Sequence, residues 1–301
     1  MNTINGATDS SNSYTSDAVA LVSEPCHGDD FTIGTGFQAQ SFRARDIGEA
    51  MDPLVMVDHF VATEPTFGVH PHAGMSAVSL LFEDSEGLFH NRDSLGNDID
   101  LLPGDLYWLS TGRGAVHDEH PRPNSRIHAL QIFVNVPQAQ RFEMPTSRLV
   151  RSKDMPVIST EEFRVKVVLG ESNGVRGAAS PSTPMTMLDG TIQPSGRFSH
   201  QADAKRGIWV LSVQGSLDVA VDETGRHLVS SQAIAIKIDS NAKIIVSNPS
   251  RAPVHFVMFD GAQIGEPFVQ DGPFVMGSQQ QIADIKAAYK AGQLGTIADN
   301  R

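Results

Sequence analysis

The chain is nearly without cysteine. A single thiol, Cys26, among 301 residues excludes an intrachain disulfide, and one thiol fits a reducing compartment. Positive charge is scarce as well: 23 Lys and Arg stand against 35 Asp and Glu, a formal net of −12. The few cations form no basic run, so the sequence lacks the surface that phosphate backbones reward, and no direct nucleic-acid binding is expected. Long apolar runs are also missing. None reaches the ~18–20 residues that a membrane-spanning helix needs, and no membrane association is expected. The first residues have neither the basic n-region nor the apolar h-region of a secretory signal. These absences together predict a soluble, cytoplasmic protein.

What is present supports a folded core. Hydrophobic residues make up 40% and charged residues 19%, ordinary for a globular protein, and the length predicts roughly two domains. The opening "MNTINGATDSSNSYTSDA" is rich in Ser, Thr and Asn and poor in apolar residues. It cannot bury enough surface to offset its ordering entropy, so 1–25 reads as a disordered tail. The body reads as short strands between turn residues: "AVSLLFED", then a hairpin in "LFHNRDSLGNDIDLL" turning at Asp93–Asn97, then "PGDLYWLS". The layout recurs in "GIWVLSVQGSLDVAVDETGRHLVSSQAIAIKI". Gly87 to Leu106, with Gly96 between, spans the same length as Gly215 to Ile234, with Gly225 between. This spacing predicts a duplicated, all-β chain. The units are 26–145 and 146–265, joined through "QRFEMPTSRLVRSKDMP", with a C-terminal segment 266–301. That segment holds the one clear helix, "SQQQIADIKAAYKAG": Ser278 and Gln281 as a capping box, Ile282, Ile285 and Tyr289 as a stripe, Gly292 as the stop.

Two short stretches stand out. "GVHPHAGM" places His70 and His72 around Pro71, and "GRGAVHDEHP" places His117 and Glu119 at the same spacing. On a strand, residues i and i+2 share a face, and Pro71 biases His70 toward extended backbone. If the two segments lie side by side, three imidazoles and a carboxylate converge. That set suits a first-row divalent metal: iron, manganese, cobalt, nickel, copper or zinc. Asp118 and His120 fall on the opposite face and read as outward. His59 reads as a core or pocket-wall residue, and His90 as structural or supporting.

"MDPLVMVDHF", "FGVHPHAGM", "HNRDSLGN", "LPGDLYWLSTGRGAVHDEHP" and "HALQIFVNVP" resemble, in order, the motifs of the pirin family. The ending "GEPFVQDGPFVMGSQQQIADIKAAYKAGQLG" resembles the family's C-terminus, so the likeness runs from about residue 30 to 295. The resemblance implies a bicupin: two cupin-type β-barrels, with metal in the N-terminal one only. It implies His70, His72, His117 and Glu119 as ligands, and iron as the usual metal. Many bacterial members resemble quercetin 2,3-dioxygenases, which open a flavonol's central ring with dioxygen and release carbon monoxide. Others act as iron-dependent transcriptional coregulators that bind a protein partner. A flavonol-like substrate with O2 is therefore expected, with Glu119 serving as base as well as ligand, and with Phe60, Met75 and Phe67 holding the flat rings. Where the family usually carries an arginine, an aromatic and a glutamate after the first motif, this chain has Ala73, Met75 and Ser76. That departure predicts a changed pocket beside the metal. Carrying the Gly87-to-Gly215 offset onward sets Phe198, His200, Ile245 and Ser247 at the four ligand positions. One imidazole is too few for a tight site, so the second barrel is expected to be metal-free.

Overall fold

The computed structural model describes residues 20–297. Each half of the chain folds into a larger and a smaller antiparallel sheet that face one another as a barrel. In the N-terminal half the larger sheet runs Thr146–Val150, Leu106–Ser110, Met75–Leu81, Ile127–Asn135, Leu54–Ala62, Phe37–Arg43, Asp29–Ile33. The smaller runs His70–His72, Ala115–Pro121, Phe89–Asp93, Asp98–Leu101. The C-terminal half repeats this order strand for strand. Its larger sheet continues from Ala20–Val22 through Gln232–Ile238, Arg206–Gln214, Val254–Ala262, Met185–Ile192 and Phe163–Leu169 to Val157–Ser159. The expected hairpin turn lies between Phe89–Asp93 and Asp98–Leu101, with Gly96 at φ 92°.

The two larger sheets lie back to back. Phe42, Leu54, Val78, Trp108 and Ile132 of the first form one buried cluster with Met187, Trp209, Ala235 and Phe259 of the second. Trp209 sits edge-on to Phe42 and stacked on Phe259, both at 5.5 Å between ring centres. The other faces of the same strands fill the barrel interiors, with Phe60, Leu81 and Tyr107 in one and Ile208, Ile234 and Phe256 in the other. Burial on both faces explains why "GIWVLSV" and "PLVMV" are almost continuously apolar instead of alternating.

Two sequence-based boundaries move. The 1–25 tail was expected to lack structure, yet Ala20–Val22 is a strand on the edge strand Gln232–Ile238, and Cys26–His27 follows it there; residues 1–19 lie outside the described residues. Thr146–Val150, expected to open the second unit, pairs instead with Leu106–Ser110 of the first barrel. Each barrel therefore receives, on the same edge, the strand that precedes the other. Sequence spacing does not show this because both strands are short and local pattern does not specify a partner. The C-terminal segment also returns to the first barrel. There Phe274, Met276, Ile282, Ile285 and Leu294 cover Ala73 and Val116. The helix spans Gln279–Lys290 and is capped as predicted, Ser278 Oγ accepting from Gln281 N–H. Tyr289, expected on its buried stripe, is exposed, because Ala288 and then Leu294, beyond the Gly292 stop, continue the contact surface after Ile285. No helix among the described residues is long and apolar enough to cross a membrane.

Candidate metal centre

His70–His72 is an edge strand antiparallel to Ala115–Pro121, with His70 opposite His117 and His72 opposite Ala115. Strand alternation puts both histidines of the first pair on the face that His117 also occupies. Pro71 fits here because an edge strand has no neighbour to receive its missing N–H. The three rings meet tip to tip: His117 Nε2 is 2.9 Å from His72 Nε2 and 2.9 Å from His70 Nε2. Behind them, His70 Nδ1 lies 2.8 Å from the Gly68 carbonyl and His72 Nδ1 3.2 Å from the Pro273 carbonyl. A carbonyl only accepts, so both Nδ1 atoms carry the proton and both Nε2 atoms present lone pairs. Two lone pairs cannot both be satisfied by the single proton that a neutral His117 offers. A cation among the three nitrogens satisfies them all, and the backbone carbonyls behind are the outer support that ligating histidines use. Burial is the largest influence on all three rings and holds each below the usual histidine range, most strongly at His72 and His117. They are thereby kept in the neutral form that ligates.

Among the described residues, the group whose ligand atoms all fall within 4.8 Å of one another is His70, His72 and His117. Glu119 stands beside this trio, with Oε2 at 3.9 Å from His117 Nδ1 and Oε1 accepting from Ser79 Oγ at 2.7 Å. Burial pushes the Glu119 carboxyl up to about 7, with the Ser79 hydrogen bond opposing.

The trio and Glu119 line one end of a cleft of about 1010 Å³. Its walls are aromatic: Phe37 stacks on Phe60 at 5.3 Å and meets Phe67 edge-on at 5.2 Å, and Phe133 sits edge-on to His72 at 5.1 Å. Phe60 and Phe67 thus face the cleft as expected, but Met75 does not. It is fully buried with Phe133 and Val275. Ala73 and Ser76 are buried too. Ala73 bridges to Phe274 of the C-terminal segment, and Ser76 Oγ lies 3.0 Å from Ser182 Oγ. Ala73, Met75 and Ser76 thus lie behind the histidines and do not line the cleft, contrary to the expectation of a changed pocket wall.

The remaining histidines separate cleanly. Asp118 faces away from the site, as alternation requires, yet it is buried, because Arg92 lies opposite it in register with Nη2 at 2.5 Å. His90 Nε2 donates to the Asp98 carboxylate at 2.7 Å beside the hairpin turn. His59 is half-buried outside the cleft, 2.7 Å from His128 Nε2 and pushed down to about 3 chiefly by burial. In the second barrel, His200 is held on both ring nitrogens, by Ser172 and by Asp260, each at 2.9 Å. Phe198 fills the adjoining ligand position as core.

One group of site residues escapes sequence reasoning. Ser79, Gln131, Asp58 and Ser41 are successive cross-strand partners and make a polar row over the inner face of the larger sheet. The rows on either side are Leu81, Ala129 and Phe60, and Ala77, Phe133 and Met56. The available signal is a lone polar residue inside each apolar strand, as in "AVSLLF", "HALQIF" and "VMVDHF". Only the register shows that these belong together.

Comparison with known proteins follows the same division of the chain. Residues 26–134 match the family model for pirin, and residues 187–295 match the model for the pirin C-terminal cupin domain. A pirin-like protein of Arabidopsis thaliana is 30% identical over 239 residues, 77% of this chain and 76% of the relative. The crystal structure of a quercetin 2,3-dioxygenase from Acinetobacter baumannii superposes with TM-score 0.79 at 22% identity, over 92% of this chain and 98% of that one. The Escherichia coli bacterial pirin solved with nickel(II) superposes with TM-score 0.58 at 18% identity, over 80% and 98% of the two chains.

Proposed function

This chain belongs to the pirin family, and from that premise we propose that its N-terminal barrel is a metal-dependent dioxygenase site that opens the central ring of a flavonol with O2. The observation that carries this reading is the convergence of three neutral imidazoles, tip to tip, at one end of an aromatic-walled cleft. His70, His72 and His117 would hold the metal, with Glu119 as the fourth ligand. Iron is the metal proposed; manganese, cobalt, nickel, copper and zinc suit the same donors. When bound, the metal supplies Lewis acidity toward the substrate's oxygens and redox chemistry toward dioxygen. The likeness to a protein named quercetin 2,3-dioxygenase supports the choice of substrate class.

The chain's own residues have distinct tasks in this scheme. Gly68 and Pro273 carbonyls fix the tautomers of His70 and His72. Phe37, Phe60 and Phe67 hold flat rings and exclude water. Glu119, anchored by Ser79, would accept the proton of the flavonol 3-hydroxyl.

The test is loss of the near-visible absorbance of quercetin under air, with rates normalised to bound metal. Glu119→Gln keeps shape and an amide oxygen but is a very poor base. We expect it to retain at least part of the metal and to lose turnover by about 10²-fold or more. A metal-normalised rate within about threefold of wild type would remove Glu119 from the base role and leave deprotonation to the metal and bulk water. A second reading is an iron-dependent, redox-sensing regulator that binds a protein partner without turnover. It is favoured by the bond from His72 to Pro273, which ties the site to a surface segment. No quercetin loss with any of the six metals would select it.

A further inference from the structure

The cleft has a second polar pole that the scheme above leaves without a task. Asp58 and Gln131 both line the cleft, inside the polar row that starts at Ser79 beside Glu119. Ser41 donates to the Asp58 carboxyl, and Ser41 is itself held by Arg43, Nε to Oγ at 3.0 Å. The Arg43 contact fixes which way the Ser41 proton points. Asp58 Oδ1 is buried and has no hydrogen-bond partner. A buried carboxyl with unused acceptor capacity is costly in a fold and marks a place where another donor is wanted.

The distance suits a ligand of several rings. Ser79 and Asp58 are separated by two strand spacings, about 10 Å across the sheet. The rows flanking this span bring Phe60 to one side and Met56 and Phe133 to the other. An aromatic skeleton held at one end by the metal would therefore lie between apolar walls with its far end at Asp58.

We propose that Asp58, set in place by Ser41, reads a hydroxyl on the end of the substrate remote from the metal, so that the cleft selects polyhydroxylated aromatics over the same skeleton carrying only the metal-binding hydroxyl. This rests on the flavonol reading above and adds the element of selection. A carboxylate accepts and does not donate. A ligand with hydrogen, a methyl ether or a carbonyl at that end leaves the carboxyl unmatched, and such mismatches discriminate strongly.

Anaerobic titration of the metal-loaded protein, followed by quenching of its tryptophan fluorescence, tests the proposal without turnover. The probes are quercetin, 3-hydroxyflavone, and quercetin methylated at every hydroxyl except the 3-position. Wild type is expected to bind quercetin about tenfold or more tighter than either other probe, the effect of one hydrogen bond to a charged acceptor. Asp58→Leu should reduce that preference to within about threefold, with metal content and 3-hydroxyflavone affinity unchanged. Asp58→Asn, which keeps a weaker neutral acceptor, should fall between. A preference that survives in Asp58→Leu overturns the role of Asp58 and leaves the flavonol reading standing. Equal binding of quercetin and its methyl ether by wild type overturns it without recourse to any variant. Failure of wild type to bind quercetin or 3-hydroxyflavone overturns the flavonol reading and this inference with it.

Discussion

Burial pushes the Asp58 carboxyl up to about 6, and Ser41 and Arg43 restrain it only in part. An unfolded aspartate titrates near 3.9, so between about pH 4 and pH 6 the native state binds the proton more tightly than the unfolded chain does. The stability this group lends is complete below about pH 4, is lost as pH rises to about 6, and does not return above it. Asp58→Asn should therefore raise stability at pH 7 by on the order of 2 kcal/mol and change it little at pH 4. Thermal melts of the metal-free protein at both pH values measure the difference; an equal effect at the two would sink this account. At the metal, His70→Ala and His117→Ala should empty the site, whereas His200→Ala should leave metal content unchanged, since His200 is spent on Ser172 and Asp260. Elemental analysis is expected to give about one transition metal per wild-type chain, from the one histidine cluster among the described residues. Two per chain after a chelator wash would show a second site. The histidine pairs were readable from sequence because i, i+2 spacing on a strand fixes a shared face whatever the partner. Asp58, Gln131 and Ser79 were not, because their relation exists only in the register between strands.

Among the elements, the C-terminal hairpin 269–276 matters most to the site. It passes so close to the first motif that Gly74, at φ 75°, could carry a Cβ only 1.9 Å from the Val275 carbonyl oxygen. Val275 N–H also donates to the Ala73 carbonyl at 3.0 Å, which holds Pro273 over His72. Gly74→Ala must shift the hairpin or the histidine strand. We expect it to cost about 2 kcal/mol or more in stability and to weaken metal binding by about tenfold, the usual effect of losing outer support. Chelator competition measures the second effect, and an unchanged metal affinity would deny the hairpin its supporting role. The sequence resemblance places this segment near the end of the family pattern, and the capping box correctly starts its helix. Neither indicates where the segment docks. Ala73 and Val116 gave no hint of a partner, because small and β-branched residues in a strand look alike whether a helix or water covers them.

At the scale of the whole molecule, duplication was legible because turn glycines keep their spacing even where side chains diverge: Gly87 and Gly215 both adopt positive φ, at 85° and 90°. The back-to-back seam was only half legible. Continuous apolar strands announce burial on both faces, but they do not say that one barrel buries the other. A fragment 26–145 is expected to aggregate on expression, since it lacks the Thr146–Val150 edge and bares the apolar face of its larger sheet. Light scattering of the purified fragment is the measurement; a monodisperse monomer would contradict it.

The crossed edge strands also bear on how the chain is made. Translation delivers Ala20–Val22 before every other described strand, yet its partner Gln232–Ile238 is among the later ones to leave the ribosome. The first barrel, complete in its other strands by Asn135, waits for Thr146–Val150 before its own edge is covered. The first barrel has all its strands by Val150, but the second cannot be completed from its own half of the chain. The nascent chain must keep Ala20–Val22 unpaired until Gln232–Ile238 has been made, and closing the second barrel recaptures a strand synthesised about 200 residues earlier.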